Sequence, residues 1–163
     1  MTDKLALLEE KKTNKAEKKW YEKGLRFKCT ECGKCCTGCP GYIWINDEEI
    51  SALAEHLKLP LEEFSKRYLR KVYINGQARF SLQERPKTYD CVFLAGNKCT
   101  IYSHRPTQCR TYPWWPKNLQ SKQDWENAAK WCEGISDDAP IVPFEKIEEL
   151  LASQIKEAPH PII

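Results

Sequence analysis

The sequence predicts an α+β fold, a small single domain with short hairpins, four to five helices and long cysteine-rich loops. Three observations carry that reading. Apolar residues recur at helical spacing in several separated segments. Two turn-forming pairs, Asn75-Gly76 and Gly96-Asn97, sit between β-favouring residues. Five of the nine cysteines fall in the eleven residues from Cys29 to Cys39. Thiolates are soft donors that suit zinc and iron–sulfur centres, so the loops are read as wrapped around a metal centre. The length of 163 residues fits one domain, and 41% hydrophobic residues provide material for a core.

In chain order, residues 1–23 combine good helix formers with a weak apolar stripe (Leu5, Leu8, Ala16, Trp20). Residues 1–26 are therefore expected to form a basic helix or arm, either solvated or docking an acidic partner. The cysteine loop follows, and Tyr42 to Ile45 is a short strand candidate. Asn46 or Asp47 caps a helix with Ile50, Leu53, Ala54 and Leu57 on one face. Leu59-Pro60 breaks it, and a second helix runs from Leu61 to Arg70 with Leu61, Phe64, Tyr68 and Leu69 inward.

A hairpin over residues 72–80 turns at Asn75-Gly76, and Cys91 to Leu94 pairs with Lys98 to Tyr102 in a second. Arg105-Pro106 opens a helical turn that ends at Tyr112-Pro113. Asp124 to Glu133 reads as a helix closed by Gly134. Beyond Pro140, Phe144, Ile147, Leu151 and Ile155 mark a last amphipathic helix. Residues 27–134 are expected to form the metal-binding domain and residues 135–163 a C-terminal helix packing on it.

The net charge is +3, concentrated at the start: residues 1–28 hold nine Lys/Arg against five Asp/Glu, and the rest 17 against 18. A nearly neutral body argues against a nucleic-acid binder. No run of about 20 apolar residues suggests a membrane span. The expected location is cytoplasmic, where dense cysteines mean metal or redox chemistry before disulfides. An odd cysteine count also prevents complete internal pairing.

Cys29, Cys32 and Cys35 at C-x2-C-x2-C spacing can wrap one centre, with Gly33 and Gly38 supplying positive-φ backbone. Adding Cys39-Pro40 reproduces a ferredoxin-type run, interrupted by Cys36 and without the second run of a ferredoxin. The paired C-x2-C knuckles common in zinc sites are not evident either. Cys91, Cys99, Cys109 and Cys132 each stand beside aromatic residues. Singly, such cysteines are small buried hydrophobes; as four beside a five-cysteine loop, they read as ligands.

The motifs Phe27-x-Cys29-x2-Cys32-Gly33-x-Cys35-Cys36, Asp90-Cys91-Val-Phe-Leu94, Cys99-Thr-Ile-Tyr102, Arg105-Pro106-x2-Cys109-Arg110 and Trp125-x6-Cys132 resemble the CxxCxxCC cysteine-cluster family of zinc- or iron-chelating proteins. The resemblance implies that Cys29, Cys32, Cys35, Cys36, Cys91, Cys99, Cys109 and Cys132 are metal ligands and leaves Cys39 as the spare. Flagellin lysine N-methylases are similar in this cysteine domain and carry an iron–sulfur cluster. They are longer, and no Gly-rich strand-to-helix turn for a methyl donor is present here.

Arg105 and Arg110 are candidates to donate hydrogen bonds to an anionic thiolate cluster, the alternative being two surface arginines. His104 reads as a turn residue and Trp114-Trp115 as packing. No Ser-His-Asp set, P-loop or paired-carboxylate motif is found. The leading expectation is an iron–sulfur protein with one or two [4Fe-4S] clusters, a redox or electron-transfer role and a redox or acidic protein partner. The alternatives are a Zn2+-stabilised interaction module and a lysine N-methylase-like enzyme.

Overall fold

The computed structural model describes residues 18–157, with side chains through Ile155. Most of the expected N-terminal helix lies outside the described residues; Lys19 to Gly24 form a turn, with Gly24 N donating to the Tyr21 carbonyl at 2.9 Å.

The described chain is a mixed α+β fold of six helices and three small antiparallel sheets. Strand β1 (Leu25–Arg26) pairs with β7 (Ile141–Val142), two segments too short to carry a sequence signal. The central sheet has the order β2-β4-β3, from Trp44–Ile45, Gln77–Leu82 and Leu69–Ile74. The third sheet joins β5 (Leu94–Ala95) to β6 (Lys98–Cys99).

Helix α1 (Asp47–His56) begins at a capping box: the Asn46 side chain accepts from Glu49 N at 2.8 Å, and Glu49 Oε2 accepts from Asn46 N at 3.3 Å. Helix α2 (Leu61–Tyr68) stops two residues earlier than its periodicity suggests. Leu69 opens β3 instead, opposite Leu82, because both bury their side chains in the sheet. Leu61, expected inward, is exposed at the first turn of α2. The β3–β4 hairpin turns through Asn75 and Gly76, both with positive φ, as a two-residue loop of this type requires.

Helices α3 (Thr107–Arg110) and α4 (Pro116–Leu119) are single turns. Helix α5 (Lys122–Ala129) starts earlier than expected, because the Ser121 hydroxyl caps it by accepting from Asp124 N at 3.2 Å. Helix α6 is Phe144–Glu157.

Two apolar clusters back these elements. One gathers Ile45, Ile50, Leu53, Phe64, Leu82 and Phe93 between α1, α2 and the central sheet. The other gathers Tyr21, Trp114, Leu119, Trp125 and Ile147, with Trp114 stacked on Trp125 at 5.1 Å. Thr111 links the region of the first helical turns to α6 by donating to Gln154 Oε1 at 2.8 Å. The cysteine loops lie across these two supports.

Candidate metal centre

Residues 27–40 hold little regular structure beyond a 3-10 turn at Lys34–Cys36, so individual anchors place their cysteines. Gly33 has φ 74°, and a Cβ there would stand 2.4 Å from the Asn97 carbonyl oxygen. Glycine thus lets the loop press against the β5–β6 turn. The Cys36 carbonyl accepts from Cys91 N at 2.7 Å, joining the loop to the second cysteine-bearing segment.

The start of the loop is sewn to the segment after α5. Lys28 N donates to the Gly134 carbonyl at 2.9 Å, and a Cβ on Gly134 would meet the Lys28 carbonyl oxygen at 2.5 Å. Gly134 is therefore required by a close backbone approach, not as the cap of α5, which ends at Ala129. Glu133 accepts from Thr30 Oγ1 at 2.9 Å and from Lys34 Nζ at 2.8 Å, holding the loop over Cys132. Lys34 pulls the exposed Glu133 carboxyl below its usual range.

Cys109 arrives on α3, which the buried Gln108 and the half-buried Glu49 bracket. Gln108 accepts from Trp44 N at 2.8 Å, donates to the Tyr42 carbonyl at 2.9 Å, and its own carbonyl takes Trp115 Nε1 at 2.9 Å. Glu49 uses its second oxygen to accept from Thr107 N at 2.6 Å and Thr107 Oγ1 at 2.7 Å. One carboxylate thus caps α1 and holds the start of α3.

The result is that Cys29, Cys32, Cys35, Cys36, Cys91, Cys99, Cys109 and Cys132 line one cavity of about 60 Å³. Phe27, Tyr102, Tyr112 and Trp131 complete much of the wall. Cys39 is not in this lining; it faces a neighbouring cleft. Cys35 and Cys36 sulfurs stand 3.8 Å apart. Among the described residues no three His, Cys, Asp or Glu side chains already close on the position of a single ion; the thiols surround a space.

The thiols differ sharply in acidity. A hydrogen bond from Cys36 brings Cys99 down to about 6 and Cys35 to about 7, with the Arg105 charge helping both. Cys36, the donor to both, is held strongly protonated. Burial pushes Cys91, Cys109 and Cys132 up, Cys109 most. Burial also raises Tyr112 to about 12.

Arg105 lines the cavity, with its guanidinium 3.6 Å from the centre of the Tyr102 ring and its Nε donating to the Tyr102 carbonyl at 2.9 Å. Arg110 is not in the lining. It turns outward to Thr107 Oγ1 at 2.8 Å, to Glu49 at 3.8 Å and to the Arg105 carbonyl. His104 also stands apart, stacked on His56 at 3.8 Å.

The family described as CxxCxxCC, a "putative zinc- or iron-chelating domain", matches residues 28–133. The chain belongs to the CxxCxxCC family. Like that family it is a metal-binding protein built on a cysteine cluster. The uncharacterized protein MJ0661 of Methanocaldococcus jannaschii is 32% identical over 96 residues, 58% of this chain and 48% of that protein. The chain thus spans about half the length of this relative. No solved structure matches the chain. Among the described residues, no helix is long and apolar enough to cross a membrane.

Proposed function

We propose that this chain is an iron–sulfur protein in which the eight cavity cysteines hold [4Fe-4S] chemistry for electron transfer with a protein partner. One observation carries the reading: eight thiols line one cavity. A structural zinc ion is complete with four donors in direct contact. A cavity of about 60 Å³ has room for several further atoms, at roughly 10–15 Å³ for each water-sized body. An iron–sulfur core brings such atoms as its own sulfides. Four thiolates serve one [4Fe-4S] cluster, so the eight provide for one cluster with thiols in reserve.

When bound, the cluster supplies reversible one-electron chemistry. The chain's own residues set its surroundings. Arg105 sets one fixed positive charge beside the anionic sulfurs, and Phe27, Tyr102 and Tyr112 limit water on the walls. Both properties tune the potential of such centres. Trp131, 74% exposed, stands at the cavity edge where a protein partner would approach. Metal loading requires deprotonated thiols and a reducing compartment such as the cytoplasm to keep them available. Residues 27–134 are read as the metal-binding unit, in keeping with the span of the family match.

The zinc-bound interaction module is the second reading, favoured by the description of the family as zinc- or iron-chelating. Anaerobic purification separates the two. Brown protein with iron and acid-labile sulfide is the expected result. Stoichiometric zinc in a colourless, sulfide-free sample overturns the iron–sulfur assignment.

A further inference from the structure

Behind the cysteine cavity lies a second, larger space that the metal site does not use. It measures about 250 Å³ and shares Cys35, Cys36 and Cys91 with the cavity as a common wall. Four aromatic residues, Tyr42, Trp44, Tyr89 and Trp115, line it beside Thr37, Cys39, Ile74, Gln83 and Glu84. Trp115 is also packed edge-on against Tyr112 of the metal cavity at 5.0 Å.

Two features distinguish this cleft from a packing gap. Tyr89 has φ 59°, a conformation rare for a bulky aromatic residue, yet the residue is 44% exposed and lines the cleft. The fold thus tolerates local strain to hold a ring that its own core does not bury. Tyr42 is likewise exposed while its plane is fixed, stacked on Trp44 at 4.8 Å and overlaid by the Arg70 guanidinium at 4.6 Å.

The charge balance narrows what such a site takes. Glu84 is the one charged residue among the described residues of the lining. Its carboxylate already accepts from Gly41 N at 2.9 Å and pairs with Arg70 at 3.2 Å. Among the described residues of the lining no further Asp, Glu, Lys or Arg is left to pair with an ionic group. Small-molecule sites usually run from about 300 Å³ upward, so the occupant is small.

We propose that this cleft binds a neutral, planar aromatic compound of one or two fused rings, stacked on Tyr89 and set against the edge of the Tyr42–Trp44 pair at the outer side of the cysteine wall. The binding does not depend on which metal the cavity holds, so it stands or falls separately from the iron–sulfur reading.

Calorimetric titration of the full, as-purified chain tests it with three probes that share one ring system. Neutral 2-naphthol is expected to bind saturably at one site, with naphthalene-2-sulfonate and 2-naphthylmethylammonium each about tenfold weaker or worse. Tyr89→Gly removes the ring and relieves the positive φ, so the variant keeps its melting temperature. It should weaken 2-naphthol by about tenfold, equivalent to ~1.4 kcal/mol, and Tyr42→Leu should weaken it similarly. Tyr73→Ala, which removes an exposed ring outside the cleft, should leave the affinity unchanged. Absence of saturable binding, equal affinity in the wild type and Tyr89→Gly, or a preference for either charged probe would overturn the proposal.

Discussion

Replacing Gly33 by alanine tests whether the metal site depends on how tightly the cysteine loop meets the β5–β6 turn. Gly96 provides the comparison. Both residues have positive φ, 74° and 59°, so alanine at either carries a left-handed penalty of ~1–2 kcal/mol. At Gly96 nothing lies within 4 Å of a built Cβ, and the penalty is the whole effect. For a domain of this size ~1 kcal/mol shifts the melting temperature by ~2–4 °C, so Gly96→Ala should melt ~2–8 °C lower and keep its metal. At Gly33 the Cβ would stand 2.4 Å from a backbone oxygen, against 3.4 Å or more for an ordinary contact. The loop must therefore retreat by about 1 Å, carrying the flanking Cys32 and Cys35 away from Cys99. Gly33→Ala should lose a large share of its metal and melt well below Gly96→Ala, as measured by metal analysis and thermal unfolding on the same samples. A Gly33→Ala protein with full metal and the Gly96→Ala melting temperature would refute the reasoning.

Three further outcomes follow from the site. Cys39→Ser should keep the full metal load while Cys36→Ser loses part of it, because only Cys36 lines the cavity; the reverse result favours the ferredoxin-type run. Chelation, or Cys109→Ala, should lower the melting temperature sharply and open the loops around Cys29–Pro40 and Cys91–Pro113 to protease. Bound structural metal contributes ~10–16 kcal/mol in small peptides, against a net stability of ~5–15 kcal/mol for a whole domain. An unchanged melting curve for metal-free protein would make the site an accessory of a self-sufficient fold. Glu49→Gln should destabilise by ~1.5–3 kcal/mol through its hydrogen bonds to Thr107, visible as a lower denaturation midpoint; a shift below ~0.5 kcal/mol would mean α3 is held by packing alone.

Sequence periodicity located the helices whose signals are local. The capped stripe from Asn46 to Leu57 and the stripe from Phe144 fold as read, because the helical repeat and the cap lie within a few residues of each other. The Asn75-Gly76 turn was equally legible, since its positive φ values select those residue types. Boundaries failed where a distant strand competed: Leu69 leaves α2 because Leu82, thirteen residues on, offers a buried partner.

The site divides along the same line. The presence of a metal-binding cysteine cluster was written in the spacing of Cys29 to Cys36, and the membership of Cys91, Cys99, Cys109 and Cys132 came through the resemblance to the family. Arg105 and Arg110 could not be told apart from sequence. Arg105, ahead of α3, lines the cavity, while Arg110, at the end of α3, turns outward to Glu49. Gly134 read as a helix cap and proved to be a point of backbone contact with Lys28. Local chemistry, namely donor type, turn preference and helical repeat, is carried by neighbours in the chain, so the sequence alone determined it. Which distant loops face one another is decided by packing on the two apolar clusters, and only the tertiary structure could show that eight cysteines line one cavity and that three of them also wall the adjoining cleft.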